Sequence, residues 1–425
     1  MSESANMTLV LFTESYPYSI AAENTFLNPE VPYLLEAFDR LIIVPKVLKG
    51  NRQHLPSTVT VEESYAKYMI SANALMKKCL YGYFVISSPL FYQELSLIPR
   101  VILSPRMFYR LMIFIVNVIR TYKWFAWYIQ SQKFDLKRTI FYTYWLKPTT
   151  LGVGLVKKSS KNITLISRTH GSDLYQEANT PPYLPFQLAT LKYLDQLFLI
   201  SEHGKRYIAQ KYAQFLPKCH IARLGVGNPG FIASPSQNGI FRIASCSSII
   251  PVKRIDLLIK GISELAKHQK SLKVVWHHVG DGQLRQQVTR LAEHIFPENV
   301  SYHFWGNIPN EKVIEFYKNT PIDIFVNVSI SEGIPVSIME AQSCGIPVVA
   351  TAVGGNSEIV TPDNGMLLSE NPTPHEIAYA LEQILFNSSF RQEKSKFSRL
   401  NWEQRFNAEK NFRDFADTLC SLLKM

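Results

Sequence analysis

The sequence predicts an α/β protein of two Rossmann-like domains, and three observations carry that expectation. The chain has 425 residues, 46% hydrophobic and 19% charged, enough for two ordinary cores. It opens as a βαβ unit: an apolar run at Leu9 to Phe12, a Ser/Thr/Pro-rich loop, a helix expected over Pro29 to Phe38 and a strand over Arg40 to Pro45. Finally, Gly225, Gly227, Pro229, Gly230, Pro235 and Gly239 crowd the stretch Arg223 to Ser245, and a strand restarts at Phe241 to Cys246. The domains are therefore expected over 1–226 and 240–400, with 401–425 as a terminal helix.

The first residues, MSESANMTLVLF, carry Glu3 and no basic region, so the short apolar run reads as a buried strand and not a signal peptide. Residues 64–135 are expected to form a helical insertion. Its run from Met107 to Gln130 holds an uninterrupted apolar part between Arg110 and Arg120. That part is too short for a bilayer, which needs roughly 20 residues. Arg110, Asn117, Arg120 and Lys123 fall near one side of such a helix, and Trp124, Phe125, Trp127 and Tyr128 on the remaining face. This is the pattern of an interfacial helix on anionic lipid, although an aromatic stripe at helical spacing also suits a domain core. Strands are expected next at Thr139 to Trp145, Ile163 to Ser167 and Asp195 to Ser201.

In the back half, strands are expected at Val274 to Val279, Ser301 to Trp305 and Ile322 to Val328, with a helix over Lys312 to Lys318. The stretch that organises the chain follows: NVSISEGIPVSIMEAQSCGIPVVATAVGGNSEIV, Asn327 to Val360. Glu332 stands in a Gly/Pro loop, and Glu340 lies eight residues later on an expected helix, Val336 to Ser343, about two turns on. Cys344-Gly345 stops that helix, and Val348 to Ala350 reads as a short buried strand. A loop opening a helix presents unpaired N–H groups and a positive dipole end, suited to a phosphate. Two acids beside such a site suit a ligand with both phosphates and hydroxyls, which describes a nucleotide sugar.

The stretch resembles the Glu-x7-Glu signature of retaining glycosyltransferases of family 4, which have the GT-B fold. Ser329, Glu332, Gly333, Pro335, Glu340, Ala341, Gly345, Pro347, Val348, Gly354, Gly355 and Glu358 stand in register with it. The resemblance implies two Rossmann-like domains facing across a cleft. It implies that Glu332 contacts the donor sugar's hydroxyls, that Glu340 holds the ribose, and that the loop Gly333-Ile334-Pro335 borders the diphosphate. Arg168-Thr169-His170-Gly171-Ser172-Asp173 is similar to the family's His-Gly-x-Asp motif, which implies that His170 stands over the donor sugar with Asp173 beside it. Ser247 and Ser248 occupy the place of the family's Gly-Arg. Lys253 is the expected phosphate clamp, with Arg254 as a candidate second charge. The turns at Gly280 and at Gly306-Asn307 are expected to wall the base pocket. On the acceptor side, the polysaccharide-assembly branch implies Glu23, Asn24, Phe26 and Glu30.

Charge is asymmetric: residues 1–240 hold 26 Lys/Arg against 14 Asp/Glu, while the chain as a whole is at +11. Such a field favours anionic partners, here an anionic membrane surface and a lipid-diphosphate-linked saccharide acceptor. No nucleic-acid module accompanies the basic residues, so no nucleic acid is expected. Five cysteines without CxxC spacing point to a reducing cytoplasm, without disulfides or zinc. No Asp-x-Asp, Walker or His-Glu-x-x-His motif is present, so neither metal nor cofactor is expected beyond the nucleotide-sugar donor. The absence of Gly-x-Gly-x-x-Gly after a strand argues against a dinucleotide oxidoreductase. The remaining alternative is a non-catalytic relative that binds membrane or glycan through its basic front half.

Overall fold

The computed structural model describes residues 6–18, 23–70, 88–97, 101, 103–237 and 239–423. The chain divides into two compact units, Met1–Ala222 with Phe412–Met425, and Arg223–Asn411. Both are parallel-sheet, Rossmann-like α/β units.

In the first unit, the strands are β1 (Thr8–Thr13), β2 (Arg40–Pro45), β3 (Val59–Val61), β4 (Thr139–Thr143), β5 (Thr164–Thr169), β6 (Gln196–Leu199) and β7 (Cys219–Ile221). They form one parallel sheet in the order β3-β2-β1-β4-β5-β6-β7. All six residues of β1 and all five of β4 are buried, as parallel strands covered on both faces require. The strand order reverses between β1 and β4.

The second unit holds β8 (Ile240–Cys246), β9 (Lys273–Val279), β10 (Val300–Phe304), β11 (Ile324–Asn327), β12 (Val348–Thr351) and β13 (Gly365–Leu368). Their order is β10-β9-β8-β11-β12-β13, again parallel, and it reverses between β8 and β11. In open sheets of this kind, ligands sit beyond the carboxyl ends of the strands at such a reversal. The strands β3, β7 and β13 were not read from sequence: they have three or four residues, too few to show a period, and no neighbouring motif marks them as one marks β12.

The first helix spans Glu23–Ala37 and so begins six residues before the expected Pro29. Pro29 and Pro32 lie inside it, at a cost in helix propensity. Leu27, Val31 and Leu34, spaced four and three apart, are buried against the sheet and offset that cost. At the other end of the chain, Phe415, Ala416 and Leu419 enter the same core.

The insertion contains the helix Pro105–Gln132, capped by Ser104, whose hydroxyl accepts from the Met107 amide, with Pro105 in its first turn. Its expected reading as an interfacial helix does not hold as drawn. Trp124, Phe125 and Tyr128 are buried in the core with Phe12 and Phe141, and of the four aromatics only Trp127 is exposed. Arg110 is also occupied, donating to the carbonyls of Thr180, Pro181 and Tyr183. The burial of large aromatic area outweighs the amphipathic pattern. Residues 71–87 of the insertion lie outside the described residues. Among those described, no helix is long and apolar enough to cross a membrane.

Candidate active site

In the second unit, the strands flanking the reversal deliver the signature residues. β11 ends at Asn327, and the loop after it carries Glu332. Glu332 Oε1 accepts from Lys253 Nζ at 2.5 Å, Ser329 Oγ at 2.6 Å and Asn327 Nδ2 at 3.2 Å. Lys253 comes from the turn after β8, so the ion pair joins the two strands on either side of the reversal. Asn327 also accepts from the Ser329 amide, fixing the entry to the loop.

Two glycines set the height of that loop. A Cβ on Gly354 would stand 1.9 Å from the Glu332 carbonyl oxygen, and one on Gly355 would stand 1.9 Å from that of Gly333. The pair after β12 therefore lets the loop lie against backbone, where any side chain would lift it. Beneath the loop runs the helix Val336–Ser343, which starts after Pro335 with no side-chain cap on its N-terminus. Its leading N–H groups are thus available to an anion.

Glu340 lies on this helix and is buried. Desolvation pushes its carboxyl up to about 7, against the stabilising amide of Asn310, which donates to Oε1. Asn310 was missed in the sequence because it sits thirty residues away, at the start of another helix. The turns at Gly280 and Gly306 meet directly, the Gly280 amide donating to the Gly306 carbonyl at 2.9 Å. Gly280, at φ +126, packs against the Ser247 carbonyl, where a Cβ would come within 2.0 Å. Ser248 and Asn307 are exposed, and Ile334 is buried.

The expectation for Arg254 changes. Its guanidinium donates to the carbonyls of Val328 at 2.6 Å and of Ser329 and Glu370 at 2.9 Å, and to Asn371 Oδ1 at 3.3 Å. The planar fork is used to brace the loop that carries Glu332, so Lys253 is the cation at the loop and Arg254 is its strut.

In the first unit, β5 ends on Thr169, and His170 follows it, 7% exposed with no hydrogen-bond partner on either ring nitrogen. Burial lowers its pKa, and Asp173, whose Oδ2 stands 3.9 Å from Nδ1, partly counteracts this. The imidazole is therefore neutral near pH 7. Burial opposes ionisation of Asp173, but the His170 ring and the His170 and Gly171 amides overcome it and lower its pKa to about 2. The ring of His170 is boxed by Trp145 at 4.3 Å, Tyr144 at 4.7 Å and Phe26 at 5.8 Å between centroids.

Of the acceptor-side candidates, Glu23 is a fastener. It is buried and accepts from the amides of Glu14, Ser15 and Tyr16 and from Trp145 Nε1 at 2.7 Å. Asn24 donates to the Tyr18 carbonyl at 3.4 Å. Glu30 is wholly buried in an ion pair with Arg168 at 2.5 Å, and Phe415 lies 4.0 Å from the guanidinium. Sequence reasoning missed the roles of Trp145 and Arg168, since their partners Glu23 and Glu30 lie 122 and 138 residues away.

Both sheets, each with a strand reversal, have the GT-B fold of solved glycosyltransferase structures. Residues 233–400 match the family model described as glycosyl transferases group 1, and the comparisons together support that family. An uncharacterised glycosyltransferase of Methanocaldococcus jannaschii, MJ1178, is 25% identical over 243 residues. The match covers 56% of this chain and 64% of the relative's length. The O-antigen biosynthesis glycosyltransferase WbnH of Escherichia coli is 36% identical over 132 residues, 31% of this chain and 34% of its own. Among solved structures, Anabaena Alr3699/HepE in complex with UDP and glucose aligns at a TM-score of 0.65 and 17% identity. That alignment covers 98% of this chain and 100% of the neighbour, and it shows the fold.

Proposed function

We propose that the protein transfers a hexose from a UDP- or GDP-linked sugar to a hydroxyl of a growing saccharide, with retained configuration and without a metal. The observation that carries this reading is the Glu332 carboxylate, fixed through Oε1 by Lys253, Ser329 and Asn327 at the strand reversal beside an uncapped helix N-terminus. Its other oxygen is left to accept from sugar hydroxyls, while Glu340 takes the ribose hydroxyls. In the reaction, the bond from the anomeric carbon to the diphosphate breaks and the acceptor oxygen bonds to that carbon on the same face. The acceptor proton passes to the departing phosphate. Negative charge on the diphosphate is met by Lys253 and by the dipole of the helix Val336–Ser343. His170, neutral and desolvated, serves the sugar or its departing oxygen.

A structural neighbour with bound UDP and glucose supports a nucleotide-sugar donor, and an O-antigen relative supports a role in cell-surface polysaccharide synthesis. We assign the acceptor as a lipid-diphosphate-linked saccharide on the cytoplasmic leaflet, with the basic first unit peripheral on anionic lipid. The test has two parts. A nucleoside diphosphate, UDP or GDP, is expected to raise the melting temperature, since a ligand that binds only the folded state stabilises it. Radiolabelled nucleotide sugars are then hydrolysed or transferred by the wild type and not by Glu332→Ala of unchanged melting temperature. No response to either nucleotide, or full activity in the variant, overturns the reading.

A further inference from the structure

The carboxyl edge of the first sheet carries a row of side chains of which the transfer step uses only His170. Lys46 follows β2, Glu14 follows β1, Trp145 and Lys147 follow β4, and His170 follows β5, in the order in which these strands lie side by side. Strands are about 4.8 Å apart, so the row runs about 14 Å, and it is centred on the β1/β4 reversal.

Three features of the row point to a ligand. Trp145 is half-buried and held in one orientation, its indole N–H on the buried Glu23 carboxylate, which also ties down the loop after β1. His170 beside it is more than nine-tenths buried with neither ring nitrogen hydrogen-bonded, only the Asp173 carboxylate standing 3.9 Å from Nδ1, a costly state for Nε2 that a ligand hydroxyl relieves. Lys46 and Lys147 each approach the same oxygen of Glu14 at 3.6 Å, and the Lys147 ammonium lies 4.9 Å from the Trp145 ring centroid. Two cations share one carboxylate at distances longer than a charge-assisted hydrogen bond of about 2.8 Å, so the group retains positive charge for an incoming anion.

We infer that this row is the acceptor subsite and that it takes an anionic saccharide. Its sugar ring rests against Trp145 with a hydroxyl toward His170, and its phosphate or carboxylate lies between Lys46 and Lys147. The inference rests on the glycosyltransferase reading and deepens it by naming the acceptor's chemistry. An aromatic face covers the apolar side of a sugar ring, while lysine ammoniums recognise phosphate or carboxylate as point charges.

The test uses the full chain labelled with fluorotryptophan. There are six tryptophans, and the Trp145 fluorine signal is identified by its loss in Trp145→Phe. Four probes are titrated: glucose 1-phosphate, glucuronate, glucose and inorganic phosphate. The Trp145 signal is expected to move with glucose 1-phosphate or with glucuronate. The first alone identifies a phosphorylated sugar, the second alone a uronate. In the double variant Lys46→Gln, Lys147→Gln the affinity is expected to fall about tenfold or more, as two charge-assisted contacts are lost. An unmoved signal for Trp124, in the core of the same unit, shows that the variant is folded. Equal response to glucose removes the charge requirement, and equal response to inorganic phosphate removes the ring platform; either result, or silence at Trp145, overturns the inference. If Trp145 is silent while UDP or GDP still raises the melting temperature, this inference alone fails. If neither nucleotide does so, the glycosyltransferase reading fails, and a Trp145 response stands as an anionic-saccharide site.

Discussion

Replacing Glu340 by glutamine separates the cost of burying this carboxyl from its use. The side chain is 4% exposed, and desolvation raises its pKa from 4.5 to about 7. Because the folded value lies above the unfolded one, the folded chain holds the proton more tightly. Stability is therefore lost as pH rises from about 4.5 through about 7. The penalty amounts to about 1 kcal/mol at pH 5 and about 3 kcal/mol at pH 8. Glutamine keeps an oxygen for the Asn310 amide and never ionises, so Glu340→Gln without ligand is expected to be more stable than wild type at pH 8 and nearly equal to it at pH 5. Unfolding of the second unit in urea at both pH values measures the difference. All other titrating groups are common to the two proteins and cancel. The gain at pH 8 should come with weaker stabilisation by nucleotide, because hydrogen bonds from a ligand hydroxyl to a carboxylate are worth about 1.5–3 kcal/mol. A difference between variant and wild type that is the same at pH 5 and pH 8 refutes the reasoning.

Two further predictions rest on packing and on buried charge. Gly355→Ala places a methyl group where the Gly333 carbonyl lies at 1.9 Å, and the Glu332 loop must rise. It is expected to cost about 1–3 kcal/mol and to abolish the nucleotide-induced melting shift, and retention of the full shift counts against a loop seated on the glycine pair. Arg168→Met leaves Glu30 as a buried carboxylate without its partner. Denaturant unfolding is expected to show a loss of about 3–5 kcal/mol, largely restored by adding Glu30→Gln, and a single-variant loss under about 1 kcal/mol contradicts the account.

Much of the second unit was legible because its chemistry is local. The helix Val336–Ser343 has the bounds read from sequence, since a Gly/Pro loop starts it and Cys344-Gly345 ends it. The expected strands at Arg40–Pro45 and near Phe241 and Val274 are present because buried parallel strands are largely apolar runs, and the one near Ser301 is present as an edge strand whose residues alternate between half-buried and exposed. Short strands escaped, and so did the early start of the first helix, where burial of Leu27 and Val31 overrides two prolines. The aromatic run of the insertion fitted two readings, and periodicity could not separate a lipid-facing stripe from a core-facing one.

By itself, then, the sequence determined the α/β class, the motif carrying Glu332 and Glu340, and the strand end carrying His170. Each is written in contiguous residues whose conformation follows from local turns and caps. Only tertiary structure decided how side chains far apart in the chain are used. Arg254 became a strut because carbonyls 74 to 116 residues away meet it, and Trp145 is aimed by Glu23 across 122 residues. Arg168 finds Glu30 across 138 residues, and Lys253 finds Glu332 across 79. The physical reason is that a buried donor or acceptor must be satisfied by whatever the packed chain brings within hydrogen-bond reach, and that neighbour has no mark in the local sequence.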